Sequence, residues 1–344
     1  MIRVWGLAWV VGLLFGWTAR LPLAAAPSSP AATIPTEAFS RRPAEIAKLS
    51  PQAHLNQLRF AVRFRDQVSR LPILGIFAMP GEEIHFTVLP ERDGGRYRCV
   101  AGAGNLKPQS PEGWRWAAPD QPGLYPLQVS EEDIGDTIAF NIFVMVPFDP
   151  ESTALNRFQL GRFREEPYRN NPFYNRPPGF VEVTPANMDA PVAPHFRLRQ
   201  FLCKQEGGFP KYLVLHETLL LKLEEILHQL GERGIQADTL HVMSGFRTPF
   251  YNAAIGNQTS YSCHLYGGAA DIFVDRDGDG AMDDLDGDGE SNLSDAKLLA
   301  GVVLELEQRD SLCCPGGLGI YGPKPHRGPF VHVDVRGWPA RWNG

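Results

Sequence analysis

The stretch from residue 72 to 149 limits the fold most. Four short runs in it, EIHFTVL, GRYRCVA, GLYPLQV and TIAFNIFVMV, alternate apolar with polar residues or are apolar throughout. They are rich in β-branched and aromatic side chains, and Pro-Gly, Asp-Gly-Gly and Pro-Asp-Gln-Pro-Gly interruptions separate them. A two-residue period sends alternate side chains to opposite faces of a strand, and glycine and proline supply the turns between. Runs of this kind in series predict an all-β sandwich of immunoglobulin-like type. No catalytic pattern lies in this stretch, which leaves it as a spacer or binding module.

The texture changes on either side. Residues 33–71, with AEIAKL and LNQLRFAVRFRDQVSRL, read as an amphipathic helical segment that ends before Pro72. Residues 150–198 hold seven prolines between Pro167 and Pro194 and read as a Pro-rich linker. Phe173, Tyr174 and Phe180 argue against a fully mobile tether. From 199 to 344 the order is helix, strands, helix, strands. HETLLLKLEEILHQLGERG sets Leu219, Leu223, Ile226, Leu227 and Leu230 on one helical face, and Gly231 and Gly234 end it. HVMSGFR and AADIFVD read as strands, a helix runs from about Ser294 to Gln308, and GLGIY and FVHVDV close an α+β domain. A chain of 344 residues exceeds one ordinary core, so a multidomain layout is expected.

Residues 1–32 have the layout of a secretory signal peptide and short linker. Arg3 is followed by an uncharged apolar run, Val4 to Thr18, and by small residues from Ala24. Export to a periplasmic or cell-envelope location is expected, with this segment cleaved or retained as an anchor. That segment is the only membrane contact expected. In an oxidising compartment five cysteines, an odd number, leave at least one thiol without an intramolecular partner. The net charge of -6 excludes a generally basic nucleic-acid binder. Residues 275–295 alone hold nine acids and one base, so the remainder of the chain is slightly basic.

Two short motifs carry chemistry. In SCHLYGGAAD, His264 is followed by a Gly-Gly turn and then by a strand bearing Asp271. Small residues at 267–270 allow close approach of backbone and metal. In FVHVD, Phe330, His332 and Asp334 share one strand face, the polar pair about 7 Å apart at Cα, while Val331 and Val333 face a core. Two polar residues on one face of an apolar strand are costly unless they serve something. Two imidazoles, one carboxylate and a water make an open four-coordinate site of the hydrolytic zinc type.

HVMSGFRTPFYN at 241–252, SCHLYGGAAD at 262–271 and FVHVD at 330–334 together resemble the zinc D-Ala-D-Ala carboxypeptidase and murein endopeptidase family. The resemblance covers about 145 residues. It implies zinc ligation by His264, Asp271 and His332, and it places Arg247 where a fixed charge stabilises an oxyanion. Many relatives carry an acid three positions before the last His, where this chain has Pro329. Asp334 is the substitute as general base, or it orients a ligand from behind; His326 is a further candidate base. The implied function is an exported peptidase that cleaves peptidoglycan stem-peptide or cross-link amide bonds by attack of zinc-bound water. The alternative is a non-catalytic cell-wall binding protein that retains a structural zinc.

The acidic segment is an insertion at 275–295. Asp275, Asp277 and Asp279, then Asp284, Asp286 and Asp288, each repeat Asp at positions 1, 3 and 5 with Gly at 6. This is a calcium-loop pattern, and twelve-residue frames from Asp275 and Asp284 end at Asp286 and Asp295. The frames overlap, so a continuous loop holding calcium to brace the zinc ligand is expected in place of two helix-loop-helix hands.

Overall fold

The computed structural model describes residues 58–309 and 315–344, all within the unit Ser40–Gly344. The expected signal segment, most of the expected 33–71 helix, and Cys313 and Cys314 lie outside the described residues. Nine strands come first: β1 (Phe60–Phe64), β2 (Gln67–Ser69), β3 (Ile73–Ala78), β4 (Glu83–Pro90), β5 (Tyr97–Ala101), β6 (Asn105–Ser110), β7 (Gly113–Ala117), β8 (Gly123–Glu131) and β9 (Thr137–Val144). They form two sheets, β2-β1-β4-β7-β6 and β3-β9-β8-β5. The sheets face each other across buried aromatics: the rings of Phe64 and Phe86 from the first lie 5.5 and 5.2 Å from Phe140 of the second. In β4 the pattern is strict, with Ile84, Phe86 and Val88 buried and Glu83, His85 and Thr87 exposed.

The end of the expected helix, residues 60–69, is instead the hairpin β1–β2. Phe60, Val62 and Phe64 are fully buried at alternate positions, with the small Ala61 and exposed Arg63 between them, so the two-residue period prevails over the helical one. Arg65 and Asp66 make the two-residue turn, with Phe64 opposite Gln67. Arg65 sits at φ 49°, held there by bonds to Glu82 (2.6 Å), Glu217 (2.9 Å) and the Phe77 carbonyl (2.8 Å).

Strand β3 is buried along its whole length because both faces are covered. One faces the sandwich core; on the other, a Cβ at Gly75 would lie 3.2 Å from Val192. The proline-rich stretch thus folds against the sandwich, and Asn141 Nδ2 donates to the Pro191 carbonyl at 2.8 Å. Within that stretch β10 (Gly179–Val183) pairs with β11 (Lys211–Leu213). One continuous apolar core runs from Phe60 to Val335.

Helices α1 (Glu217–Glu232), α2 (Pro249–Ala254) and α3 (Leu293–Arg309) accompany a five-stranded sheet. Its strands are β12 (His241–Ser244), β13 (Ala269–Phe273), β14 (Gly317–Tyr321), β15 (Phe330–Asp334) and β16 (Ala340–Asn343), in the order β12-β13-β15-β14-β16. Leu219, Leu223, Ile226, Leu227 and Leu230 of α1 are all buried. Val331 and Val333 are fully buried, as a core-facing position requires. The protein is thus β-rich, a sandwich followed by a mixed sheet with helices. No helix among the described residues is long and apolar enough to cross a membrane.

Candidate metal centre

One row of residues crosses the five-stranded sheet. Ser244 of β12 is opposite Asp271 of β13, Asp271 opposite His332 of β15, His332 opposite Gly319 of β14, and Gly319 opposite Trp342 of β16. Side chains directly opposite one another lie on the same face, so this register brings Asp271 and His332 together. Gly319 leaves the room that the Trp342 ring fills: a Cβ there would lie 2.4 Å from Trp342 Nε1. The indole sits 5.1 Å from the His332 ring and donates to Tyr321 Oη at 2.8 Å.

His264 arrives from a separate turn, Cys263–Tyr266, closed by Gly267 at φ 74°. A side chain at Gly267 would be strained by that angle and would meet the Val214 carbonyl at 2.4 Å, so only glycine fits. The turn is tied to the SGFR loop in two places. His264 Nδ1 bonds the Gly245 carbonyl at 2.7 Å, and Arg247 N donates to the His264 carbonyl at 3.1 Å.

Three donor atoms converge as a result. His264 Nε2 lies 3.2 Å from His332 Nδ1 and 3.3 Å from Asp271 Oδ1, and His332 Nδ1 lies 2.9 Å from that same oxygen. All three residues are buried. The outer nitrogens assign the protons. His264 Nδ1 faces a carbonyl and must carry hydrogen to bond it; His332 Nε2 faces the Asp334 carboxylate at 3.1 Å. Neutral rings in those tautomers turn both lone pairs toward the Asp271 oxygen. Such an arrangement is repulsive unless a proton or a cation sits between them, and it is the tautomer pattern of ligating histidines. The residues present therefore fit a metal ion.

Electrostatics agree. Burial pushes the His264 pKa down, with Asp271 opposing. Burial also works against protonation of His332, but its bonds to Asp271 and Asp334 outweigh this and raise it. Asp271 is held well below the usual carboxylate range, the two imidazoles overcoming its burial.

Arg247 stands at the cluster. Its guanidinium pairs with Asp271 Oδ2, and its Nε donates to Ser244 Oγ at 2.8 Å. Asp334 is fully buried and heavily bonded. Its Oδ1 accepts from Gly317 N (2.7 Å) and Arg336 Nε (2.9 Å), and its Oδ2 faces His332 and Arg336. This geometry suits orienting His332. His326 is exposed on the loop before β15. Arg336 was not singled out from the sequence, although it continues the period-two series His332, Asp334, Arg336. Trp342 had no sequence signal.

The acidic segment forms two loops. Asp275, Asp277 and Asp279 gather their carboxylates in one group, and Asp284, Asp286 and Asp295 in another. The twelve-residue frame therefore closes for the second loop, through the fully buried Asp295 at the start of α3. It does not close for the first, because Asp286 belongs to the second group. Asp288 is turned to Asn292 Nδ2 at 3.1 Å. Asp275 bonds His241 of β12 at 3.1 Å and so anchors the loop to the sheet edge. Partial desolvation and the neighbouring carboxylates Asp288, Asp295 and Asp284 raise the Asp286 pKa.

No protein-family model matches the sequence, and no curated protein is significantly similar. Among solved structures, the Yersinia pseudotuberculosis adhesin InvE is similar at 14% identity and a TM-score of 0.19 over 28% of this chain and 29% of that one.

Proposed function

We propose that the chain is an exported zinc peptidase of peptidoglycan that hydrolyses stem-peptide or cross-link amide bonds, with an immunoglobulin-like sandwich supporting a zinc peptidase-like domain. The observation that carries this is the convergence of His264 Nε2, His332 Nδ1 and Asp271 Oδ1, with both outer imidazole nitrogens already engaged. Three protein ligands with one carboxylate are the donor set of hydrolytic zinc, whereas structural zinc favours four ligands with thiolates. Zinc held there supplies Lewis acidity and lowers the pKa of a bound water toward about 7. Arg247 supplies a fixed cation beside Asp271 that offsets charge developing on a carbonyl oxygen. Asp334 keeps the His332 proton on Nε2.

A second reading is a non-catalytic wall-binding protein with a structural zinc. It is favoured by the commitment of Asp334 to Arg336 and Gly317, which occupies the carboxylate expected to act as base. Metal analysis of the full-length protein, with mass spectrometry of digested peptidoglycan, separates the two. Zinc at about one per chain with new muropeptides is the expected result. Stoichiometric zinc without cleavage selects the second reading, and absence of bound metal removes both.

Calcium is the proposed second cofactor, held by the two acidic loops as a brace for the strand that bears Asp271. The loops begin four residues after that ligand. Calcium at 100 times its dissociation constant should add about 2.7 kcal/mol and raise Tm by several degrees. An unchanged Tm after calcium-selective chelation, with zinc retained, refutes the brace.

A further inference from the structure

His332 is buried although Gly319, directly opposite it on β14, has no side chain to cover it. The cover comes from one strand further out. Trp342 of the edge strand β16 leans across Gly319 and sets its ring 5.1 Å from the His332 ring. Neighbouring strands lie about 4.8 Å apart, so a residue two strands away meets an imidazole only by lying over the strand between. The fit is close: a Cβ at Gly319 would lie 2.4, 2.6 and 2.9 Å from Nε1, Cε2 and Cζ2 of the indole. Trp342 itself is half-buried, so its ring stands between His332 and solvent on this flank. The same ring lies 5.5 Å from the Arg336 guanidinium carbon, and Arg336 pairs with the Asp334 carboxylate that faces His332. One side chain thus touches both the candidate ligand and the cation behind it.

Strand β16 pairs with β14 alone, so side chains supply the rest of its hold. On the metal face, Trp342 Nε1 donates to Tyr321 Oη at 2.8 Å, and the Tyr321 ring stacks on Phe330 at 4.4 Å. On the other face, Arg341 pairs with Glu307 of α3 and donates to the Gly316 carbonyl at 2.6 Å. Glu307 also accepts from the buried Lys222 of α1 at 2.7 Å, and Lys222 donates to the Asp334 carbonyl at 3.1 Å. The edge strand is therefore tied from both faces to the strand that bears His332 and Asp334.

We infer that Trp342 is a positioning residue of the metal centre and that β16 is the latch that retains the metal, an inference that rests on the zinc reading of the cluster. The indole closes the His332 flank to water and holds the imidazole with Nδ1 toward Asp271. An apolar shell around a metal site limits solvent access, and a ligand that leaves a metal must be replaced by water or another donor. The latch therefore acts on the rate of metal release and leaves the three donor atoms as they are.

Transfer of zinc from the loaded full-length protein to a chromophoric chelator measures that rate. Trp342→Ala should release zinc at least about tenfold faster than the unmodified protein, the low end of the effect of outer-shell losses on metal affinity. Trp342→Phe should stay within about threefold, because an aromatic ring still covers the imidazole. Gly319→Ala provides a readout that a general loss of stability would not move. Its methyl takes the space of the indole and should displace the ring, speeding release as Trp342→Ala does. In the Gly319→Ala/Trp342→Ala double variant the two effects should not add, because they act through one contact. Release from Trp342→Ala at the unmodified rate overturns the latch, and so do additive effects in the double variant. If Trp342→Ala does not fold, fast release from Gly319→Ala with slow release from Trp342→Phe supports the latch, and equal rates overturn it. The latch and the peptidase fail separately. Fast release from the variants with no new muropeptides from the unmodified protein keeps the latch and removes the peptidase. New muropeptides with release unchanged in every variant do the reverse, and no zinc uptake by the unmodified protein overturns both.

Discussion

His264→Ala should purify without metal and lose peptidoglycan hydrolysis by at least about 10³-fold, the upper range for losing one oxyanion donor. Two donors, Asp271 and His332, would remain, too few for a stable zinc site. The substitution also strips the Gly245 carbonyl of the His264 Nδ1 partner now 2.7 Å away. A buried carbonyl left unmet costs about 1–3 kcal/mol, so a lower Tm is expected alongside the loss of metal. The register supplies a control for the loss of metal. Ser244 lies in the same row but touches the cluster through Arg247 Nε, so Ser244→Ala should retain zinc. Zinc by elemental analysis and muropeptides by mass spectrometry are the readouts. Full zinc occupancy in His264→Ala, or undiminished cleavage, would remove the cluster from the mechanism.

Legibility followed the range of the interactions involved. The β4 alternation and the leucine face of α1 were readable because each rests on local spacing, whereas His264, Asp271 and His332 were joined by a resemblance of motifs, their meeting being set by the non-local register of β13 and β15. Residues 60–69 read as helical in the sequence because Leu58, Ala61, Val62 and Val68 approximate a helical stripe. What decided the outcome was non-local: β1 has β4 on one side and β2 on the other, and Phe64 meets Phe140 from the facing sheet. Arg336 was within reach, since extending the two-residue period by one step past Asp334 finds it. Trp342 was not. Trp342 reaches His332 only because β16 joins β14 in parallel opposite a glycine, and no spacing in the sequence encodes that pairing.

Asp334→Ala tests how the site is held from behind. The carboxylate is fully buried and joins four groups: His332 Nε2, the Arg336 guanidinium, Gly317 N and Arg336 N. Its removal deprives Arg336, whose side chain is only 19% exposed, of the carboxylate it pairs with. Breaking a buried pair from one side costs about 3–5 kcal/mol, and the partial exposure of Arg336 places the expectation at the lower end. His332 loses the group that fixes its tautomer, and such losses weaken metal affinity about 10–100-fold. The pH dependence has a definite sign. His332 and Arg336 together outweigh burial and depress the Asp334 pKa far below its unfolded value. The folded state therefore binds this proton more weakly than the unfolded state, and the carboxylate's contribution is complete above about pH 4 and declines as pH falls below it. The stability gap between the unmodified protein and Asp334→Asn, read by denaturant unfolding, should accordingly narrow toward acid. A gap constant from pH 6 to pH 3 would mean that the carboxylate is not charged in this pocket. Turnover then divides the remaining roles. If saturating zinc restores hydrolysis in Asp334→Asn, the residue acts by positioning His332; if zinc is retained and hydrolysis stays absent, it is the base.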